Sequence, residues 1–325
     1  MINFGIIGAG AWGIALAINL QKNGHNIKLW HHNPQKASDL EKTRTSNSLR
    51  DILIDDSIHF SSDLDDVAAS DILIYASPTQ EFDNISGRIQ KNKDKKIPFI
   101  IASKGIDTRK NLLLHEISKI NLPNWIPMVL SGPGFAIDIA NGKPTALTLA
   151  CEKKEVLLDV GELLANNNFR PYFSEDIIGT QIGGAIKNII AISTGIAMGK
   201  DLGDGSVASL ISRGMNEIIL FGECLGAKKE TFIGLSGLGD LVLTASNLKS
   251  RNTQLGYDIG KNGGVDIKID YLTEGYHTAK AVYNIAKSKN INLPLIEAIY
   301  NILYNKYNVD EAIGLLMNRP LKEEI

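Results

Sequence analysis

Cysteine is scarce in this chain, with two residues, Cys151 and Cys224, among 325. Two cysteines so far apart form neither a metal-ligand spacing nor a disulfide framework, so we expect a reducing compartment. The six histidines are scattered, apart from the neighbours His31 and His32. The sequence therefore predicts neither a metal site nor a disulfide-stabilised fold.

An excess of charge of one sign is also lacking. The formal net charge is -2 and no run of basic residues occurs, which argues against a general nucleic-acid binder. The apolar N-terminus lacks the basic n-region of a signal peptide, and the longest apolar run is interrupted by Lys187 and several glycines. With 44% apolar and 22% charged residues, we expect a cytoplasmic globular protein of two ordinary domains without a membrane span.

The most informative stretch is Gly179–Gly199, where Lys187 is the one charged residue between Asp176 and Lys200. Its apolar residues recur at helical offsets, and small residues share the face of Lys187, which leaves room above the ammonium. A lysine on such a helix must reach water or meet a partner, and a buried amine is suited to giving and taking a proton. We interpret Lys187 as a catalytic candidate; the alternative is a lysine that reaches solvent from a core helix.

The chain opens with a short apolar strand at 1–7, the run GAGAWG at 8–13, and a helical pattern from Ile14 to Asn23. G-x-G-x-x-G between a strand and a helix is typical of dinucleotide binding, because its glycines permit a tight turn and a close approach of the pyrophosphate. The helix N-terminus adds partial positive charge. The alternative is a glycine-rich turn without a ligand.

The second strand, Asn26–Trp30, predicts how the ribose is read. It is followed by His31-His32-Asn33-Pro34, where an NAD-selective site commonly has a carboxylate. The absence of that charge leaves room for a 2′-phosphate, so we expect NADP to be tolerated. The alternative is a pair of exposed loop histidines.

Four later apolar runs predict further strands. They lie at 71–76, 97–103, 127–130 and 145–150. Strands separated by helical segments favour an α/β, mainly parallel, doubly wound sheet, whose ligands lie beyond the carboxyl ends of the strands. Lys104 and the loop Ser131–Ala136 are at such ends.

From Ile177 onward helical patterns replace strands. We expect long helices at 179–199, 206–226, 273–289 and 294–307. The sequence thus predicts a dinucleotide-binding domain over 1–178 and an all-helical substrate domain over 179–325.

Two polar groups in the second half are further candidates. Asp240 is the only charge between Glu230 and Lys249, in a glycine-rich apolar run; the alternative role is a helix cap. Ser250-Arg251-Asn252 combines a hydroxyl, a guanidinium and an amide, all suited to phosphate oxygens; the alternative is an exposed polar turn.

Seven motifs that occur together and in order resemble those of the bacterial NAD(P)-dependent glycerol-3-phosphate dehydrogenases. They are GAGAWG at 8–13, ASKGI at 102–106, SGPGFA at 131–136, GGAIKNIIAI at 183–192, GLGDL at 237–241, SRN at 250–252 and TEG at 273–275. The resemblance implies reversible reduction of dihydroxyacetone phosphate to sn-glycerol 3-phosphate for glycerophospholipid synthesis, with NADP or NAD as cofactor. It also implies a Rossmann domain, a helical substrate domain and a homodimer.

The resemblance also implies residue roles. Lys187 is the proton donor and acceptor, Lys104 lies against the substrate, and Asp240 supports the lysine. The implied substrate-binding residues are Lys104, Gly132, Gly134, Lys187, Asp240, Ser250, Arg251 and Asn252. The implied cofactor-binding residues are Gly8, Gly10, Ala11, Trp12, Gly13, His32, Lys104, Ala136, Arg251, Leu272 and Glu274. Gly134 departs from the family, which usually has Ser or Thr at that position.

Two other functions stay open on the sequence. Another dehydrogenase of similar layout, acting on 3-hydroxyacids or 6-phosphogluconate, is disfavoured by Ser250-Arg251-Asn252 together with Asp240. A non-catalytic NADP-binding sensor is disfavoured by the joint presence of four polar residues, Lys187, Lys104, Asp240 and Arg251.

Overall fold

The computed structural model of the chain describes residues 1–90, 94–265, 273–321 and 323. The chain forms two compact units, each described by itself below. The first unit comprises 1–107 with 112–181, and the second comprises 108–111 with 182–325.

The first unit is built on a sheet of eight described strands in the order β3-β2-β1-β4-β5-β6-β7-β8. The strands are β1 (Asn3–Ile7), β2 (Asn26–Trp30), β3 (Ile58–Ser61), β4 (Ile72–Tyr75), β5 (Pro98–Ile101), β6 (Ile126–Ser131), β7 (Thr145–Ala150) and β8 (Phe169–Ser174). All neighbours pair in parallel except β6 and β7. The predicted mainly parallel sheet is therefore confirmed.

Helices cover both faces of this sheet. They are α1 (Ala11–Lys22), α2 (Pro34–Thr43), α3 (Leu64–Ala68), α4 (Phe82–Arg88), α5 (Leu114–Asn121), α6 (Ala136–Ala140) and α7 (Lys154–Leu164). Alternate residues of β1 enter different cores: Phe4 and Ile6 pack on one side, Ile7 on the other. Strands buried on both faces read as continuous apolar runs, which is why most of them were predictable.

Two strands were not predicted from the sequence. β3 is four residues long, and β8 carries a proline, which argues against a central strand. The backbone N–H of Thr145 in β7 donates to the carbonyl of Asn168, and in this parallel register Pro171 directs its backbone nitrogen away from β7. The missing N–H of Pro171 thus lies on the outer edge of the sheet, where it breaks no ladder bond.

The described part of the second unit is helical. Its helices are α8 (Ile177–Gly199), α9 (Asp204–Cys224), α10 (Lys229–Phe232), α11 (Asp240–Ala245), α12 (Arg251–Asn262), α13 (Glu274–Lys289), α14 (Pro294–Asn305) and α15 (Val309–Met317). The predicted α/β Rossmann sheet followed by helices is confirmed, and α8 begins two residues before the predicted Gly179.

Helix α8 is long and apolar enough to cross a membrane, but 89% of its most apolar window is buried inside the protein. It crosses α12 at backbone contact. A Cβ on Gly195 would lie 2.1 Å from the carbonyl oxygen of Thr253, and one on Gly256 would lie 2.0 Å from that of Ile192. Only glycine permits this crossing, which fixes the helix of Lys187 against the helix that Ser250–Asn252 begins.

Helix α14 has an unusual N-terminal cap. Its N-cap residue, Leu293, has no polar side chain, and the buried carboxylate of Glu217 on α9 accepts from the N–H groups of Leu295 at 2.7 Å and Ile296 at 3.0 Å. A side chain from another helix therefore satisfies two of the N–H groups that a helix start leaves unpaired.

Candidate functional site

The loop between β1 and α1 has the geometry that a dinucleotide requires. Gly8 adopts φ +124°, and a Cβ on Gly13 would lie 1.9 Å from the carbonyl oxygen of Gly8, so the turn closes on itself. Nothing lies within 4 Å of a Cβ placed on Gly10. The first and third glycines thus make the turn, and the second leaves open space in front of the N-terminus of α1, where a phosphate is stabilised.

Trp12 gives this loop a buried donor without a partner in the described part of the chain. Its indole Nε1 is buried and has no hydrogen-bond partner among the described residues. A buried donor without a partner is costly, so this N–H fits an acceptor group of a bound molecule. The ammonium of Lys104 lies 5.8 Å from the centre of the Trp12 ring and donates to the carbonyl of Gly132 at 3.0 Å. The structure thus brings Trp12, Lys104 and Gly132 together.

The loop after β6 explains the departure at Gly134. Gly132 adopts φ +141°, a conformation that favours glycine. At Gly134 a Cβ would meet Ile139 and Thr145 at 3.5 Å, which is ordinary contact. The fold therefore accepts a side chain at 134, and the loss of the usual hydroxyl is not forced by packing. Ala136 begins α6 immediately after this loop.

The histidines after β2 differ in their surroundings. The two rings stack with centroids 4.7 Å apart. His31 accepts from the N–H of Asn33 through Nδ1 at 3.0 Å, and burial, with His32 as the next cause, lowers the pKa of His31. His32 is exposed, and no carboxylate occurs at 31–33. Of the two, His32 is the ring available to a ligand.

The environment of Lys187 is a buried pocket of polar partners. The side chain is buried, and its ammonium donates to the Asp240 carboxylate and to the Thr244 hydroxyl at 2.6 Å. The alternative of a lysine reaching solvent is therefore wrong, and so is that of Asp240 as a helix cap, since α11 has no side-chain cap. Part of the space predicted beside Lys187 is also filled, since a Cβ on Gly183 would lie 2.6 Å from the carbonyl oxygen of Ser236.

Local structure holds these partners in place. Asp240 begins α11 directly after a π-helical turn at 235–239, and Thr244 lies one turn later on the same face. The hydroxyl of Thr253 donates to the carbonyl of Thr244 at 2.6 Å, and that of Thr194 donates to the carbonyl of Ala245 at 2.7 Å. Thr244 was missed from sequence; its spacing of four from Asp240 was the available indication.

The group Ser250-Arg251-Asn252 forms the start of α12 and is not simply an exposed turn. Ser250 is buried and accepts from the N–H of Thr253 at 3.3 Å as the helix cap, whereas Arg251 is exposed. The side chain of Asn252 donates to the side-chain oxygen of Asn188 at 3.0 Å. Asn188 was not predicted as a site residue, although Asn188 directly follows Lys187 in the sequence.

Asn252 also connects this group to the start of α13. Its side-chain oxygen accepts from the N–H of Gly275 at 3.0 Å, and Glu274 is the first residue of that helix. Leu272 lies outside the described residues. The second unit thus brings Lys187, Asp240 and Thr244 into one cluster, and Asn188, Asn252 and Gly275 into a neighbouring one, since Lys187 and Asn188 are adjacent.

The described residues include no group of three His, Cys, Asp or Glu side chains that could hold a metal ion. The described groups of the second unit offer a positioned ammonium, carboxylate, hydroxyl and amide, and the first unit offers the glycine loop by itself.

Comparisons with known proteins agree over nearly the whole chain. Two family profiles match, the N-terminal one of NAD-dependent glycerol-3-phosphate dehydrogenase over residues 3–157 and the C-terminal one over 176–314. The chain is 38% identical over 320 residues to glycerol-3-phosphate dehydrogenase [NAD(P)+] of Rhodopseudomonas palustris, covering 98% of this chain and 97% of the relative. It is 40% identical over 329 residues to the Bartonella tribocorum enzyme of the same name, covering 98% of each.

A solved structure shows the same architecture. The crystal structure of glycerol-3-phosphate dehydrogenase from Coxiella burnetii superimposes with a TM-score of 0.91 at 31% identity, covering 98% of this chain and 99% of that one.

Proposed function

The chain belongs to the NAD-dependent glycerol-3-phosphate dehydrogenase family, and we propose that it reduces dihydroxyacetone phosphate reversibly to sn-glycerol 3-phosphate, with Lys187 as its acid–base group. It is an NAD(P)-dependent oxidoreductase, and the product feeds glycerophospholipid synthesis. The buried contact of Lys187 with Asp240 and Thr244 is the observation that carries the proposed role.

Reduction of a ketone puts negative charge on its oxygen. A nicotinamide cofactor held by the first unit would supply the hydride that reduces the carbonyl carbon. The ammonium of Lys187 stabilises the developing charge and then donates its proton to that oxygen, and in the reverse direction the amine takes the proton back. Asp240 and Thr244 accept from the ammonium and so orient it. Lys104 adds a second positive group for the substrate.

The dinucleotide fits the residues of the first unit. Gly8–Gly13 supplies an open helix start and the N–H of Trp12 an unused donor. We assign the remaining cofactor contacts to His32 at the adenine ribose, and to Lys104 and Ala136. In the second unit we assign Glu274 and Arg251 to the cofactor as well.

The phosphate end of the substrate is assigned to Ser250, Arg251 and Asn252. Arg251 is the main ligand in this proposal, because its exposed guanidinium is not consumed as a helix cap and forms a fork that matches two phosphate oxygens. The side chain of Asn252 is oriented by Asn188.

The direct test is oxidation of NADPH and NADH with two substrates, dihydroxyacetone phosphate and dihydroxyacetone. We expect turnover with the phosphorylated ketone and far less with the other. The variant Arg251→Lys should raise KM for dihydroxyacetone phosphate by roughly ten-fold or more, since an ammonium cannot replace the bidentate fork. Arg213→Lys, at another exposed arginine of the second unit, is the control. An unchanged KM in Arg251→Lys would remove Arg251 from the phosphate site, and absence of turnover with both cofactors would refute the proposed reaction.

Location and assembly belong to the same proposal. The burial of the long apolar helix α8 and the scarcity of cysteine support a cytoplasmic protein. The family resemblance supports a homodimer, and exposed apolar side chains of the second unit, Ile233 and Val242, offer surface for it. Light scattering of the purified chain measures the oligomeric state.

A further inference from the structure

The first unit contains a polar cavity of about 160 Å³ that no step of the proposed reaction uses. It is lined at the C-terminal ends of α1 and α6, by Lys22, Gly142 and Lys143, and by the segment before β8. Five of its ten lining residues are asparagines, two are lysines, and none is acidic. We propose that this cavity binds a small oxyanion, of the phosphate or phosphate-monoester class.

The floor of the cavity is a fixed network of amides. Asn166 donates from Nδ2 to the side-chain oxygens of Asn19 and Asn23, both at 2.8 Å. Asn19 is buried and donates to the carbonyl of Leu164 at 3.2 Å, while Asn23 donates to that of Leu163 at 2.9 Å. The network joins α1 to the end of α7, so the cavity has a rigid wall that does not depend on a ligand.

The donors that this network does not use converge on one point. Lys22 and Asn168 are directed toward the open side of Gly142, which adopts φ +68°. A Cβ on Gly142 would lie 3.4 Å from the ammonium of Lys22 and 3.6 Å from the side-chain nitrogen of Asn168. Because residue 142 has no side chain, both nitrogens stay open to the cavity, and an oxyanion bound in it can accept from both.

The lining has one uncompensated positive charge, which opposes the partial negative charge at the C-terminal ends of α1 and α6. Lys143 already pairs with Asp138 at 2.6 Å, so Lys22 supplies the uncompensated charge of the lining residues. An alternative role for Lys22, which needs no ligand, is to interact with the carbonyl end of α1, as lysines in the last turn of a helix do. That role explains its charge but not the convergence with Asn168 over a glycine. It also provides a matched control, because Lys42 lies in the last turn of α2 and does not line the cavity.

The cavity is distinct from the dinucleotide loop. Helix α1 begins at Ala11 beside that loop and ends at Lys22, so its twelve residues place the two about 18 Å apart. Helices α1 and α6 pack against each other, and their N-termini carry Ala11 and Ala136, which are assigned to the cofactor. The oxyanion site therefore goes beyond the proposed reaction and does not rest on it.

The test is a titration of the full-length protein with inorganic phosphate at constant ionic strength, followed by the backbone amide NMR signals of Gly142 and Asn168. We expect saturable shifts of these signals. Lys22→Gln should weaken the apparent affinity by roughly ten-fold or more, because it removes a charged donor. Lys42→Gln should leave the affinity unchanged, and Lys22→Arg should retain binding.

Two further arms sharpen the result. A titration with glycerol 2-phosphate in place of inorganic phosphate shows whether a phosphate monoester binds. Saturable amide shifts with both ligands, or with inorganic phosphate alone, support the site and define its ligand. Unchanged amide spectra outside the cavity and unchanged turnover show that Lys22→Gln is folded. Shifts that rise linearly without saturation, or equal affinities in Lys22→Gln and Lys42→Gln, would overturn the proposal.

Discussion

The two units differ in how far they bury the charged side chains described above. In the first, Lys104 is half-buried, contacts a backbone carbonyl and an aromatic ring, and lies on a loop after a strand. His32 in the same unit is exposed. In the second, Lys187 and Glu217 are buried within helices and bonded to a carboxylate or to backbone N–H groups.

This difference predicts how the loss of a charge, or of its partner, affects binding and stability in each unit. A charge near water is screened, so its loss changes binding more than stability. A buried charge depends on its partner, and losing that partner leaves it uncompensated. We therefore expect variants of the first unit to change mainly affinity and those of the second to change stability and turnover together.

The largest expected effect is that of Asp240→Ala on the stability of the second unit. The substitution removes the carboxylate that compensates the buried ammonium of Lys187. Breaking a buried ion pair in this way costs about 3–5 kcal/mol of stability. Urea unfolding measures this loss of stability. For comparison, Lys104→Met in the first unit should lower the free energy of unfolding by less than about 1 kcal/mol. The double variant Lys187→Met with Asp240→Leu should be more stable than Asp240→Ala alone; if it is less stable, the ion pair does not explain the loss.

Lys187→Ala should come next, in turnover. Removing a donor at the developing charge costs about 2.7–4 kcal/mol in the transition state, a fall in kcat of roughly 10²–10³. Binding of NADPH, followed by its fluorescence, should persist because the dinucleotide loop belongs to the first unit. Turnover within a few-fold of the parent would mean that another group protonates the substrate oxygen.

Glu217 tests the second unit through pH. Burial raises the pKa of this carboxyl to about 7, although the N–H groups of Leu295 and Ile296 oppose the shift. The folded state thus binds the proton more tightly than the unfolded state, where the pKa is near 4.5. This contribution to stability is complete below pH 4.5 and is lost as the pH rises through about 7.

The expected loss is at most about 3 kcal/mol, from the size of the shift. The variant Glu217→Gln does not titrate, so its free energy of unfolding should fall less than that of the parent between pH 4.5 and 7. Parallel pH profiles for the two proteins would exclude a raised pKa at Glu217.

The smallest effect concerns His32 in the first unit. We expect the parent to favour NADPH over NADH, since no carboxylate at 31–33 repels the 2′-phosphate. Burial lowers the pKa of His31, so that ring adds charge only at lower pH. His32→Asp should shift the kcat/KM ratio of the cofactors toward NADH by roughly ten-fold. A kcat/KM ratio of the two cofactors that His32→Asp leaves unchanged would assign ribose recognition to another residue.

The sequence predicted what depends on local pattern. Buried parallel strands, the glycine loop after β1 and the isolated Lys187 are readable because each has a periodicity or a composition of its own. β3 was too short to show a pattern, and Pro171 disguised β8. Thr244 was missed for another reason: its spacing from Asp240 indicates a shared helix face, but its contact with Lys187 crosses 57 residues of sequence and depends on the packing of two helices.

Pro171 also has a consequence for the protein in a crowded solution. An outer strand with a regular row of N–H and carbonyl groups is a template on which another chain can add a strand and begin a fibril. With a proline in the middle of β8, that row is interrupted on the outer side, while Tyr172 and Phe173 remain partly exposed there. Pro171 thus removes one donor from the outer row of β8, which disfavours the pairing of another strand on this edge.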